Sequence, residues 1–329
     1  MVLCTVKSKH IIFAGAAVLA ALAVISLFVG KYPLSLQALL SGNRLQWRVF
    51  LTLRLSRTLV GVIGGFALGV SGFVYQTVFR NPLASPDIIG VSSGASAGAA
   101  AGILFFGTAA AITAASFAGA LTAVAAALLL ASVDRGSRKS TIVLAGIAVH
   151  ALAQTALMAM KLMADPDRQL ASIEYWIMGS LSDVSGYRIG GSLALCVFCM
   201  IAMFLLHRQT LLLSAEEGEA RMLGVNVGSL RLLVLTTATL AVSCVISLTG
   251  LISFIGLLAP HSARLLLRDN RRGTMAFSGI AGGILLCGAD LLSRSVAATE
   301  LPVSIFTSLL GAPFLIGLVL KARFRDDAA

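Results

Sequence analysis

The residues in this sequence whose types and spacing suit chemistry are few, and they do not form a catalytic group. Cys196 and Cys199 have the i, i+3 spacing of a redox or metal-binding pair. The apolar segment around them, 189–206, contains no His, Asp or Glu that would complete a site. The four histidines are separated by whole apolar segments. We therefore predict no catalytic residue and no metal site, and we interpret the two cysteines as packing residues.

The sequence also lacks a nucleotide-binding loop. The pattern G-x-x-x-x-G-K-[ST], which holds the phosphates of ATP, is absent from all 329 residues. Any ATP hydrolysis associated with this protein must come from another chain. We therefore predict a non-enzyme without a cofactor of its own.

The composition is that of a membrane protein. Hydrophobic residues make up 58% of the chain, charged residues make up 12%, and the mean hydropathy is +0.94. A helix crosses the hydrocarbon layer with about 20 apolar residues, and backbone groups in lipid must bond internally. The fold class predicted is an all-α polytopic membrane protein.

The positions of the charges favour ten membrane spans over nine. The uncharged segments 88–133 and 232–263 are each long enough for two helices, with breaks at 106–108 and 249–250. Ten spans place both basic chain ends in the cytoplasm, as the positive-inside rule expects. We predict one transmembrane domain over 1–329, with spans near 11–29, 57–79, 88–106, 109–132, 140–162, 188–206, 231–249, 251–267, 273–293 and 302–320.

A weak internal repeat relates the two halves of the chain. L-G-V-S at 68–71 in the second span is echoed by L-A-V-S at 240–243 in the seventh. Five spans separate the copies, and an odd number inverts the second copy relative to the first. This pattern predicts an inverted five-helix repeat.

The longest polar segment on the cytoplasmic side, 208–231, is predicted to be structured. S-A-E-E at 214–217 is a capping-box pattern, and Gly218 and Gly224 are plausible helix ends, which indicates two short helices. A structured, charged loop suggests a protein partner. The alternative is a solvated loop without one.

Several motifs, taken together, resemble a known family. They are R-L-S-R-T-L at 54–59, R-N-P-L-A at 80–84, G-V-S-S-G-A at 90–95, W-I-M-G-S-L at 176–181, G-L-I-S-F-I-G-L-L-A-P-H-S-A-R at 250–264 and E-L-P-V at 300–303. In this order they resemble the FecCD-type permease subunits of bacterial iron-chelate and cobalamin ABC importers, which have the type II importer fold. The resemblance covers nearly the whole chain.

The resemblance implies an assembly. It implies a second permease subunit in a homo- or heterodimer, two cytoplasmic ATPase subunits that bind ATP and Mg²⁺, and a substrate-binding protein outside. The expected cargo is an iron chelate, with a ferric siderophore first and haem or cobalamin next. The chain is expected among the lipids of the bacterial inner membrane, with both termini in the cytoplasm and no nucleic-acid partner.

The resemblance also assigns roles to residues at matching positions. Exposed arginines on the outer side are expected to dock the acidic binding protein, against the positive-inside tendency; they are Arg54, Arg57 and Arg294. Residues expected to form the cytoplasmic gate are Asn81, Leu83, Ser140 and Thr141. Residues expected to contact the ATPase are Glu216, Glu217, Ala220, Leu223 and Gly224. Asp290 lies four residues before Arg294 on one helix face and is expected to orient it.

Two other classes of protein remain as alternatives. A secondary transporter driven by an ion gradient would also have inverted repeats, but it normally places ionisable groups near the bilayer centre. Here His150 is the only such group near the middle of a span, apart from the cysteines. An intramembrane enzyme is disfavoured because no paired nucleophile and base is present.

Overall fold

The computed structural model describes residues 2–133, 138–182, 184, 186–214, 222, 226–297 and 299–326. These residues form helices, turns and short extended connections, with no β-strand among them. Within the described ranges, six helices are long and apolar enough to cross a membrane, and four further apolar helices are shorter. Ten apolar helices therefore follow the order of the ten predicted spans.

We number the helices in chain order. They are α1 (Val2–Phe28), α2 (Leu36–Leu40), α3 (Arg44–Phe79), α4 (Val91–Phe105), α5 (Ala109–Val133), α6 (Arg138–Met163), α7 (Ala171–Met178), α8 (Gly186–Leu205), α9 (His207–Leu212), α10 (Val227–Thr249), α11 (Ile255–Leu267), α12 (Arg272–Ser295) and α13 (Val303–Asp326).

The central helix, α3, is much longer than its predicted span. It begins at Arg44 rather than near residue 57 and includes two wide, π-helical turns, Phe50–Leu55 and Val60–Gly64. Its C-terminal part, Gly65–Phe79, is buried between α10, α11 and α12. The long helix thus carries the R-L-S-R-T-L motif, and the R-N-P-L turn follows its end directly.

Close packing of α3 against α12 depends on glycines. A Cβ added at Gly65 would lie 2.5 Å from the carbonyl oxygen of Gly282, and one at Gly69 would overlap the carbonyl oxygen of Ser278. The two helix backbones are therefore in direct contact, which is the arrangement that rows of small residues permit in lipid. A second row makes the same kind of contact, because a Cβ at Gly98 would overlap the carbonyl oxygen of Ala115 between α4 and α5.

Neighbour relations recur between the two halves of the chain. In one group, α3 packs on α11 and α12, which also pack on each other. In the other group, α10 packs in the same way on α4 and α5, which also pack on each other. The helices that follow the two echoed segments also begin alike, since the residues preceding α4 and α11 both have left-handed backbone conformations. These residues are Gly90 (φ 85°) and Phe254 (φ 67°). The halves thus share a common pattern of helix packing.

Three short helices, α2, α7 and α9, have no counterpart among the predicted spans, and α7 has the clearest start. Residues 166–178 form a π-helical turn, Pro166–Leu170, followed by α7. The side chain of Asp165 accepts hydrogen bonds from the backbone N–H groups of Asp167 and Arg168, and Pro166 occupies the first helical position. An N-cap followed by proline is the sequence signal that identifies such a start. The segment connects α6 to α8 beside the α4–α5 turn.

Candidate functional site

A network of buried charges joins the N-terminal half of α3 to the C-terminal end of α12. The guanidinium of Arg57 donates from Nε to Asp290 Oδ1 at 2.7 Å and from Nη1 to Glu300 Oε2 at 2.8 Å. Arg294 Nη2 lies 3.0 Å from Asp290 Oδ2. One carboxylate, that of Asp290, is therefore shared by two arginines from different helices. The predicted pairing of Asp290 with Arg294 is present, and the contact of Asp290 with Arg57 is additional.

Other donors of Arg54 and Arg294 reach the chain that directly follows α1. Arg54 donates to the carbonyl oxygens of Val29 at 2.7 Å and Tyr32 at 2.9 Å. Arg294 Nη1 also donates to the Val29 carbonyl, at 2.8 Å. Guanidinium groups are suited to this role because their donors form a rigid fork. The network thus fixes the C-terminal end of α1 against α3 and α12.

The three arginines are not exposed, and the sequence expectation on this point is wrong. The exposed fractions of Arg54, Arg57 and Arg294 are 7%, 7% and 3%. The expectation failed because the carboxylates and carbonyls that hold these side chains come from distant parts of the sequence. Glu300 was also not assigned a role, although it lies within the E-L-P-V motif.

A cavity of about 190 Å³ lies beside this network. Arg54, Arg57 and Glu300 line it, together with Lys31 and Tyr32 from the α1–α2 connection. Among the residues that the structure describes, Nη2 of Arg57 has no hydrogen-bond partner. The cavity is therefore lined by cationic groups and one carboxylate.

The gate candidates lie around the turn that follows α3. Arg80 ends the helix in a left-handed conformation (φ 52°), and the side chain of Asn81 accepts a hydrogen bond from the backbone N–H of Leu83 at 2.9 Å. This bond fixes the turn and presents the Leu83 side chain, which is 52% exposed. Pro86 is buried at the start of the 3₁₀ turn Pro86–Ile89. The turn therefore holds an exposed apolar side chain on a constrained backbone.

Helix α6, which carries the other two gate candidates, packs against the 3₁₀ turn Pro86–Ile89 that follows Leu83. A Cβ at Gly146 would overlap the carbonyl oxygen of Ile88, so the backbones of α6 and the 3₁₀ turn are in direct contact. Thr141 is half-buried in the first turn of α6. Ser140 is in the same turn, and its side chain is outside the described part of the structure. The contact joins α6 five residues beyond Thr141 to the chain five residues beyond Leu83.

Arg264 connects α11 to the end of α3. It donates to the side-chain oxygens of Gln76 and Thr77, the latter at 3.1 Å, and its guanidinium lies 5.0 Å from the ring centroid of Phe73. Gln76 in turn donates to the carbonyl oxygen of Leu257 at 3.1 Å. These contacts hold the last turn of α3 just before the gate turn. From the sequence, Arg264 was predicted only as the last residue of the G-L-I-S-F-I-G-L-L-A-P-H-S-A-R motif.

The coupling candidates Glu216, Glu217, Ala220, Leu223 and Gly224 lie outside the described residues, and their role stays a prediction. The flanking residues are described. Ser214 ends the turn after α9, and Asn226 begins α10 by accepting a hydrogen bond from the backbone N–H of Ser229 at 3.2 Å. Among the described residues, no cluster of three His, Cys, Asp or Glu side chains is arranged to hold a metal ion.

A larger cavity, of about 1110 Å³, lies beside α7. The α4–α5 turn, α7, the start of α8 and the end of α10 surround it. Hydroxyl and amide side chains form much of its polar lining, including Gln169, Ser172, Tyr175, Ser180 and Thr249. Tyr175, Ser180 and Ser182 form a hydroxyl cluster with O···O distances of 2.8–3.3 Å.

The fold and these sites define a polytopic helical permease. A family model described as the FecCD transport family matches residues 18–321. The chain belongs to this family, and it is a permease subunit of an ABC importer. This membership supports an ATP-driven importer and not the gradient-driven alternative.

Individual relatives extend the comparison. The cobalamin import system permease protein of Halobacterium salinarum is 36% identical over 277 residues, which cover 83% of this chain and 74% of that protein. The hemin transport system permease protein of Yersinia pestis is 34% identical over 311 residues and 92% of each chain. A solved metal-chelate type ABC transporter in an inward-facing conformation superposes with a TM-score of 0.85 at 30% identity, covering 95% of this chain and 99% of that one.

Proposed function

We propose that this chain forms the membrane pathway of an importer that takes up an iron chelate, with a ferric siderophore as the first candidate and haem or cobalamin next. The observation that carries the proposal is the placement of two different sites on one helix. The arginine network surrounds the N-terminal half of α3, and the gate turn follows the C-terminal end of the same helix. A hemin permease and a metal-chelate transporter among the similar proteins support the cargo class.

The outer site serves as the dock for a substrate-binding protein. Arg54, Arg57 and Arg294 form a compact cationic group next to an open cavity, and such a group suits the carboxylates of an acidic partner. Their burial means that they act at short range, after the partner has arrived, rather than as exposed groups that steer it from a distance.

The inner site serves as the gate. Leu83 and Asn81 form its tip, and Thr141 and Ser140 at the start of α6 form its second element. A constrained turn with an exposed leucine obstructs a pathway when it meets the same turn of a second permease subunit. The second subunit is a copy of this chain or a related permease.

The energy comes from two ATPase subunits, which bind ATP and Mg²⁺ on the cytoplasmic side. Segment 214–227, with Glu216, Glu217, Ala220, Leu223 and Gly224, contacts them and passes on their movement. Inner and outer gates then open in turn, as in alternating access. In this proposal the chain lies in the bacterial inner membrane and both of its termini are in the cytoplasm.

Co-purification tests the assembly directly. The tagged chain is isolated from native membranes in mild detergent, and mass spectrometry measures whether an ATPase subunit and an extracytoplasmic binding protein accompany it. We expect an ATPase in roughly equal amount to the permease. Its repeated absence, under conditions that preserve other ABC transporters from the same membranes, would overturn the proposal.

Charge reversal tests the docking role. Replacing Arg57 by Glu should abolish stimulation of the ATPase by the binding protein, and basal ATPase activity, which comes from the opposite face, verifies that the complex assembles despite a third carboxylate beside Asp290 and Glu300. Glu174→Arg, which alters an exposed outer ion pair with Lys161, is the matched control. Normal stimulation of the Arg57→Glu complex would remove the docking role.

A further inference from the structure

The guanidinium of Arg57 is only partly satisfied. Its Nε and Nη1 donate to Asp290 and Glu300, whereas Nη2 is buried and has no partner among the described residues. The side chain alone is 9% exposed, compared with 7% for the whole residue. A buried donor without an acceptor is costly, by about 1–3 kcal/mol. This arginine therefore retains capacity for one more oxygen ligand.

The two carboxylates that hold Arg57 differ in how firmly they are placed. The Asp290 side chain is 2% exposed and binds two arginines. The Glu300 side chain is 26% exposed and pairs with Arg57 alone among the described ion pairs. Water reaches the Arg57–Glu300 pair only at its Glu300 end and weakens it there, whereas the Arg57–Asp290 pair is buried at both ends and is expensive to break. Glu300 is the carboxylate that can be released.

Release of Glu300 requires only a side-chain movement. The backbone next to it is attached to the end of α12, since Leu301 N donates to the Ser293 carbonyl at 3.1 Å and Ser293 Oγ donates to the Leu301 carbonyl at 2.5 Å. Glu300 and Arg57 both line the outer cavity of about 190 Å³. A group that enters this cavity thus meets the ion pair at its accessible side.

We propose that Glu300 is an internal substitute for a carboxylate of the binding protein, and that docking exchanges one for the other on Arg57. The inference rests on the proposed docking function and deepens it. The incoming carboxylate first accepts from the unused Nη2 and then takes over Nη1, giving the bidentate pairing that Arg and carboxylates favour. Glu300 rotates into the cavity mouth and becomes solvated.

The exchange also distinguishes the three arginines. Arg54 directs two donors to main-chain carbonyls. Arg294 binds Asp290, Ser26 and Val29, and its Nε is also buried without a partner among the described residues, but Arg294 does not line the cavity. Both are positioning residues. Arg57 is the arginine that contacts the partner, and Glu300 sets the strength of docking by competing for it.

The test is the affinity of the permease–ATPase complex in lipid nanodiscs for the binding protein recovered by co-purification. Glu300→Gln keeps the size of the side chain and removes its charge, so the dissociation constant should fall about fivefold. Glu174→Gln removes a carboxylate from the other outer ion pair, with Lys161, and should leave affinity unchanged. Comparing the two separates competition for Arg57 from a general change in surface charge.

The outcomes separate the two levels of the proposal. If the wild-type complex binds and Glu300→Gln binds equally or more weakly, the exchange is refuted and the docking function stands. If neither complex binds, the docking function itself fails. Should Glu300→Gln not assemble, Glu300→Asp replaces it: the shorter side chain reaches Arg57 less well, so tighter docking supports the exchange and unchanged docking refutes it.

Discussion

Arg264 Nη2 and Thr77 Oγ1 are 3.1 Å apart, and this contact joins α11 to the last turn of α3. Arg264 also reaches Asn270, 3.3 Å from its Nε, so that a single guanidinium connects α3, α11 and the loop before α12. The gate turn begins at Arg80, three residues beyond Thr77. The position of Leu83 therefore depends on a side chain that lies outside the gate.

Replacing Arg264 by Lys should impair transport. Lysine keeps the charge but cannot bond Gln76, Thr77 and Asn270 together, and hydrogen bonds to charged groups are worth about 1.5–3 kcal/mol each. We expect uptake by reconstituted proteoliposomes to fall roughly tenfold while ATPase subunits still bind. Arg268→Lys, an exposed position four residues later, is the control and should behave as wild type. Equal uptake by the two variants would exclude a positioning role.

Asp290→Asn should be among the most destabilising conservative changes at the outer face. It leaves Arg57 and Arg294 without their shared buried charge, and breaking a buried pair in this way costs about 3–5 kcal/mol. Thermal unfolding in detergent measures the effect. Glu174→Gln in the exposed pair with Lys161 should cost about 0–1 kcal/mol. Similar melting temperatures for both variants would contradict the network's structural importance.

Gly69→Ala should disrupt the bundle. The added methyl group would overlap the carbonyl oxygen of Ser278, and the backbones of α3 and α12 would have to separate, at a cost of about 1–3 kcal/mol or more. Gly288→Ala is the matched control, because a Cβ there has nothing within 4 Å. The measurement is the yield of monodisperse protein and its melting temperature. A Gly69→Ala protein as stable as Gly288→Ala would show that the two helices are not in close contact.

Asn81→Ala should make the proposed cytoplasmic gate leak. The substitution removes the acceptor for the backbone N–H of Leu83, a loss of about 1 kcal/mol that loosens the turn. Passive release of cargo from loaded proteoliposomes without ATP should rise about fivefold. Asn43→Ala removes a comparable side-chain acceptor at the start of α3 and should not change passive release. A leak in both variants would point to general destabilisation.

Local sequence patterns predicted only part of the site. Asp290 and Arg294 are one helical turn apart, so their pairing follows from sequence spacing. Arg57 and Asp290 are separated by 233 residues, and no local pattern indicates that they meet. The burial of the arginines follows from this long-range contact, which is why the predicted exposure was wrong.

The length of α3 and the presence of α7 were missed for a related reason. Arg54 and Arg57 resemble the polar boundary of a span. The helix nevertheless continues through them, because backbone carbonyls just after α1 and the carboxylates of Asp290 and Glu300 accept hydrogen bonds from their side chains. The start of α7 had a readable signal in Asp165 and Pro166. The eight residues of α7 are too few to cross a membrane and include Glu174, so the search for apolar spans gave no reason to look for a helix there.

The contact between α3 and α12 limits how this subunit can move. Most helix pairs are separated by interlocking side chains, which can slide past one another by changing rotamers. Between Gly65, Gly69 and their partners on α12 there is no such deformable layer. Helices α3 and α12 therefore move together as one rigid body. The number of independently moving parts in the subunit is smaller than its number of helices.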